Sequence, residues 1–182
     1  MNTDIHIALS EDNRKIKLPP ILPTLFLAGP IRNAPKWHYD AIRYLLNKDT
    51  KTFIAVPIRT VPDDIKPHIL LDEDLFFHTF ERQRAWELYY LFHAKRKGCI
   101  MFWLPKEAEV KEFQDKIYAH ITMMELGTAM GSYTHKPFNL VVGTDGEFPE
   151  WNTIKLDLEE NKIPICYTLE DTIETALKLI HG

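Results

Sequence analysis

Thr24-Leu25-Phe26-Leu27-Ala28-Gly29-Pro30 is a continuous apolar run closed by Gly and Pro, the pattern of a strand buried on both faces. Residues 35–48 then change period, with Trp37, Ala41, Tyr44 and Leu45 on one face of a helix. Residues 52–57 return to a β-rich apolar run, so the three segments make a β-α-β unit. The alternation continues to the end of the chain. A helical stretch over 76–95 precedes an apolar run at 99–104, and a helix over 122–133 precedes runs at 139–143 and 163–167. Thr168 then starts a last helix, with Asp171 at the reciprocal capping position and Ile173, Ala176, Leu177 and Ile180 as its apolar stripe. Buried strands alternating with helices belong to a parallel sheet covered on both faces. The expected fold is α/β, a flavodoxin-like three-layer α/β/α sandwich. Its five-stranded parallel sheet should have the order 2-1-3-4-5, because right-handed crossovers leave few other topologies.

Residues 1–18 stand outside this pattern. Segments 5–9 and 15–18, around Glu11-Asp12-Asn13, read as a small N-terminal hairpin extension before a domain of residues 19–182, and its deletion is expected to leave that domain folded unless the hairpin forms an oligomer contact. Two connections are long: residues 60–75, with Pro62, Pro67 and the acidic run Asp72-Glu73-Asp74, and residues 106–120. Structureless connections beyond about 12–15 residues are commonly lids or binding loops. Both leave the carboxyl ends of strands, where open α/β sheets hold ligands, and the first is expected to close over a substrate.

At 182 residues, 45% of them hydrophobic, the chain has the size and apolar content of one globular domain. Its 22 Lys and Arg against 26 Asp and Glu leave a net charge of −4, with no basic block able to neutralise a run of phosphates along a strand, which disfavours a nucleic acid polymer as partner. The apolar stretch 18–31 is broken by Pro19, Pro20, Pro23 and Pro30 and is shorter than the ~20 residues of a membrane span, so no membrane partner is expected. The first seven residues lack the basic start of a secretory signal, which makes the expected address the cytoplasm. Cys99 and Cys166 lie inside apolar runs and read as free thiols. No two histidines are spaced i, i+4 and no Cys-x-x-Cys pair occurs, so no structural metal site is expected.

Two carboxylates stand out. Glu125 is the one formally charged residue between positions 119 and 134, among Ile121, Met123, Met124, Leu126, Ala129 and Met130. Thr122-x-x-Glu125 matches a capping box, a structural role. The same first-turn position favours an ionised carboxylate and suits a nucleophile, with Gly127 and Gly131 allowing close packing behind it. Glu87 falls on the helical stripe Phe76, Phe80, Gln83, Glu87, Tyr90. It either pairs with Arg84, three residues before it, or points with Gln83 into a cleft to bind a polar ligand. The turn at Gly29 and Pro30 is an ordinary strand ending or a place where backbone approaches a ligand closely. Arg32, just beyond, has the chemistry to bind a phosphate. His120 is either a proton donor or an exposed loop histidine.

Together these segments resemble the nucleoside 2-deoxyribosyltransferase family. The resemblance rests on Phe26-Leu27-Ala28-Gly29-Pro30, Trp37, Gln83-x-x-Trp86-Glu87, Ile100-Met101-Phe102-Trp103-Leu104-Pro105, Met124-Glu125-Leu126-Gly127 and Val141-Val142-Gly143, in the family's order. It implies a flavodoxin-like enzyme that exchanges the base of a 2′-deoxyribonucleoside through a covalent deoxyribosyl-glutamate, with a nucleoside and a free nucleobase as partners and no cofactor. It assigns the nucleophile to Glu125 and the second, substrate-holding carboxylate to Glu87. Gly29, Pro30, Arg32, Gln83, Trp86 and Met124 become candidate substrate-binding residues, and a homo-oligomer is implied. Ala119 stands where some relatives carry an acidic base-contacting residue.

Two alternatives accompany this reading. A deoxynucleoside 5′-monophosphate N-glycosidase of the same superfamily would let water intercept the intermediate, with Arg32 on the phosphate. A non-catalytic nucleotide-binding module would keep the fold without turnover, although it would have no need of a buried Glu125 charge.

Overall fold

The computed structural model of the chain describes residues 22–48, 50–58, 60–68, 80–114 and 116–182, with the backbone alone at 6–9 and 80–83. The sheet contains β1 (His6–Leu9), β2 (Thr24–Ala28), β3 (Phe53–Val56), β4 (Gly98–Leu104), β5 (Leu140–Thr144) and β6 (Ile165–Cys166). Every neighbouring pair is parallel, in the order β1-β3-β2-β4-β5-β6. β2 to β6 are the five strands anticipated, and they stand in the anticipated order.

β1 belongs to the sheet, a place the sequence reading did not give it. His6 pairs with Phe53 and Leu9 with Val56, so residues 6–9 add a sixth, parallel strand. The pairing satisfies backbone groups of β3 that would otherwise form an open edge. The expected second arm, residues 15–18, lies outside the described residues. Removal of residues 1–18 therefore uncovers the β3 edge.

The helices are α1 (Trp37–Leu46), α2 (Phe80–Arg96), α3 (His120–His135), α4 (Trp151–Glu160) and α5 (Leu169–His181). α1 and α5 pack on Leu25, Leu27, Ile54, Val56, Met101 and Val141. α2, α3 and α4 pack on Phe26, Ala55, Ile100, Phe102, Leu104 and Val142. Alternate residues of each strand thus enter opposite layers, which is why the strand sequences are continuously apolar. Thr168 caps α5 as anticipated, its hydroxyl accepting from the Asp171 amide at 3.1 Å. α4 was not anticipated. Its buried Trp151, Ile154 and Leu158 have spacing i, i+3, i+7, and the parallel β5–β6 pair requires such a crossover.

From β2 the chain turns to β3 on one side and later returns to β4 on the other, placing α1 and α2 on opposite faces. The carboxyl ends of β2 and β4 therefore form a topological switch point, the usual ligand crevice of this architecture. Of the long 60–75 connection, the part at 60–68 is anchored rather than loose. Ile65 is buried in the α1 layer, Asp64 accepts from Arg43 Nε at 2.8 Å, and Lys66–His68 forms a 3-10 turn. The rest of the proposed lid lies outside the described residues. Among the described residues no helix is long and apolar enough to cross a membrane.

His38 gives the fold a pH signature. It is buried, stacked on Trp37 with ring centroids 3.6 Å apart, and its Nε2 has no hydrogen-bond partner among the described residues. Burial, aided by the charge of Lys36, lowers its pKa from 6.5 to about 3. The unfolded chain therefore takes up this proton first. Stability contributed by neutral His38 is complete above pH 6.5 and is lost as pH falls from there toward about 3. The expected slope from this group approaches ~1.4 kcal/mol per pH unit. Urea unfolding of wild type and His38→Leu across this range should show a shallower acid slope in the variant.

Candidate active site

β2 ends at Gly29, whose φ of 152° is outside the range side chains favour. A Cβ there would collide with the Trp103 carbonyl oxygen and stand 2.7 Å from Cζ2 of Trp37. Only glycine allows β2, β4 and α1 to meet this closely. The Trp37 indole donates to the Pro30 carbonyl at 3.0 Å, fixing the turn. Beyond it, the buried Asn33 side chain donates to the Phe113 carbonyl and accepts from the Phe113 amide, both at 2.9 Å. This ties the loop after β2 to the loop after β4. Arg32 is exposed and lies over the Phe113 ring at 5.4 Å. Tyr118 closes the second loop by donating to the Pro105 carbonyl at 2.7 Å.

A second cluster spans α2 and α3. Both helices run from the carboxyl end of the sheet, and Arg84, Glu87 and Glu125 lie in their early turns. Arg84 Nη1 donates to Glu87 Oε2 at 3.0 Å and also to Glu125 Oε1. The two carboxylates are each 17% exposed and the arginine 32%. The i−3 pairing of Glu87 with Arg84 is therefore present, and one guanidinium joins it to the second carboxylate. Glu125 Oε2 has no hydrogen-bond partner among the described residues.

Burial raises the Glu125 carboxyl above its ordinary range; Arg84 opposes this, and the charge of Glu87 adds to it. Burial works against the charge of Arg84, but the two carboxylates hold its pKa above the usual guanidinium value. Glu125 is thus a poorly solvated carboxylate with one oxygen pinned and the other open. That combination suits attack on an electron-deficient carbon.

Arg84 and Glu125, but not Glu87, line a cleft of about 160 Å³ between α2 and α3. Ile100 and Phe102 of β4 form its floor, with Leu88, Leu91, Met124 and Thr128 on its walls. Small-molecule sites usually enclose ~300–1,000 Å³, so this cleft takes only a ring-sized part of a ligand. Among the described residues no group of three or more His, Cys, Asp or Glu side chains is placed to hold a metal ion.

Several expectations change here. α3 begins at His120, after Ala119 in a left-handed backbone (φ 55°), and no side chain caps it. Thr122 is buried within the first turn, so Thr122 and Glu125 make no capping box. Glu125 also lies beyond the first turn, so its environment comes from Arg84 and burial rather than from free helix amides. A Cβ at Gly127 or Gly131 would meet nothing within 4 Å, so neither glycine serves close packing in the monomer. Trp86, 3% exposed between Phe26 and Tyr90, is a core residue beneath the site rather than a wall of it. Met124 lines the cleft, 57% exposed.

The Gln83 side chain lies outside the described residues. His120 is exposed, with Nδ1 3.4 Å from the Ile117 carbonyl. Gly29, Pro30 and Arg32 share the carboxyl end of the sheet with Glu125 but belong to the separate Trp37–Asn33–Phe113 cluster. Arg84, named at first only as a partner for Glu87, is the residue sequence reasoning underrated. Its link to Glu125 crosses 41 residues and has no local signature. No protein-family model matches the chain, and no curated protein matches it.

Proposed function

We propose that the chain is a transferase that exchanges the base of 2′-deoxyribonucleosides through a covalent deoxyribosyl-Glu125 intermediate. The observation that carries this reading is the Arg84 guanidinium, which bridges two partly buried carboxylates and, with Glu125, lines a largely apolar cleft. Glu125 Oε2 attacks the anomeric carbon as the C1′–N bond breaks and its electron pair leaves with the base. The developing oxocarbenium charge is stabilised by the adjacent carboxylate before the bond to oxygen forms. A nitrogen of the incoming base reverses the step, so two displacements retain configuration. Arg84 holds Glu125 in position, and Glu87 holds a sugar hydroxyl or passes a proton to the leaving base, a contribution of ~10²–10⁴-fold for general acid catalysis.

The homo-oligomer implied by the resemblance fits this arrangement. Leu88, Phe92 and Met124 are exposed apolar residues lining the small cleft, which a second copy would cover and complete. The hydrolase reading retains one supporting observation: Arg32 is exposed at the ligand-side end of β2 and has no carboxylate partner among the described residues. It would take a 5′-phosphate.

Incubation of the protein with deoxyinosine and free adenine separates these readings. Deoxyadenosine is the expected product. Free deoxyribose without exchange would favour the hydrolase, and neither product would favour a binding module.

A further inference from the structure

At the other end of the sheet, where α2 and α3 finish and β4 and β5 begin, lies a larger cleft of about 850 Å³. Lys95, Arg96, Lys97 and Lys136 line it, and no carboxylate does so among the described residues. Arg43, Lys48 and Arg84 elsewhere in the fold each hold a carboxylate. These four cations hold none among the described residues. Neutral groups position two of them: Lys95 Nζ donates to Ser132 Oγ at 3.1 Å and lies 5.2 Å from the centre of the Phe138 ring, and Arg96 lies 5.3 Å from that of Phe92.

Cations at helix carboxyl ends are common because they offset the helix dipole. Two such ends supply about −0.5 charge each, which leaves roughly three positive charges uncompensated in one concavity. Burial lowers the pKa of Lys95, a cost that a bound anion would relieve. The volume falls in the range of small-molecule sites. A nucleic acid strand fits less well, because the cations form one cluster rather than a stripe and the chain as a whole carries −4.

We propose that this cleft binds the polyphosphate group of a small molecule through Lys95, Arg96, Lys97 and Lys136. Phe92 and Lys95 also line the smaller cleft, so the two clefts adjoin, but Lys97 and Lys136 line only the larger one and the test needs no turnover. Titration calorimetry on the full chain with sodium tripolyphosphate, inorganic phosphate and a single-stranded oligothymidylate provides that test. Tripolyphosphate should bind at one site, more tightly than phosphate or the oligonucleotide. Lys97→Glu/Lys136→Glu, both at exposed positions, should weaken it by about tenfold or more. Lys51→Glu/Lys116→Glu, which changes net charge equally at exposed positions elsewhere, should leave it unchanged. If the first pair fails to fold, Lys97→Gln/Lys136→Gln serves the same comparison. Absence of tripolyphosphate binding, equal weakening by the control pair, or tighter binding of the oligonucleotide would overturn the proposal.

Discussion

Glu125→Gln is expected to remain folded and to lose base exchange by at least ~10⁴-fold, the scale seen when a covalent nucleophile is removed. The amide cannot form the glycosyl ester, yet it keeps the side-chain volume and can still accept from Arg84. Ionised Glu125 is already penalised by burial, so the neutral amide removes that cost while weakening the contact with Arg84. Arg84 keeps Glu87 and is 32% exposed. The net stability change should therefore stay within ~1–2 kcal/mol, short of the larger loss that follows when a fully buried charge is orphaned. Urea unfolding and an exchange assay on the same preparation check both halves. A structural glutamate would show the opposite pattern, with exchange near normal.

Arg84→Met should produce the second large effect. It leaves Glu87 and Glu125 as neighbouring carboxylates without the cation they share. Arg84 is the group that lowers the Glu125 pKa, against burial and the charge of Glu87. Its removal therefore raises the Glu125 pKa further. The nucleophile must be ionised, so exchange at neutral pH should fall by about 10²-fold or more and recover in part as pH rises. In the wild type the acid limb of kcat/KM should already lie above the ordinary glutamate range, and in Arg84→Met it should move higher still. A merely structural ion pair would lower the melting temperature and leave the pH profile unmoved. Arg84→Lys should fall between, because one ammonium charge replaces a planar fork.

Local pattern and topology made the sheet legible, since both rest on short-range rules. The apolar runs of β2 to β5, the Trp37–Leu45 stripe and the Thr168 cap each matched the structure because burial on two faces and capping chemistry leave direct marks in sequence. α4 was readable from Trp151, Ile154 and Leu158 and from the crossover that β6 requires, yet its mixed polarity hid it. α3 misled for a different reason. Its apolar Ile121, Met123 and Met124 are exposed on the monomer, so composition suggested a buried helix where the fold leaves an open face. The capping box failed because Ala119, with no capping side chain, starts the helix earlier.

The candidate site was legible in parts. Glu87 and Glu125 were each marked by being charged on apolar surroundings, a signal that needs no partner to be seen. Their connection was not, because Arg84 joins helices distant in sequence. Nor was the separation of the Gly29 turn from the Glu125 cleft, which depends on which face of the sheet each helix covers. The cationic cleft at the far end was equally hidden, since Lys136 meets Lys95–Lys97 only through the packing of α2 and α3 on β4 and β5.

The proposed exchange chemistry depends on a bond from the Glu125 carboxylate to the sugar. The most direct measurement is mass spectrometry of protease-digested protein after incubation with a mechanism-based nucleoside carrying a 2-fluoro sugar, which slows breakdown of the glycosyl-enzyme. A fluorosugar adduct is expected on the peptide containing Met124-Glu125-Leu126, absent in Glu125→Gln and still formed, more slowly, in Glu87→Gln. An adduct mapped to another residue, or exchange activity in a wild-type protein that never forms one, would contradict that chemistry.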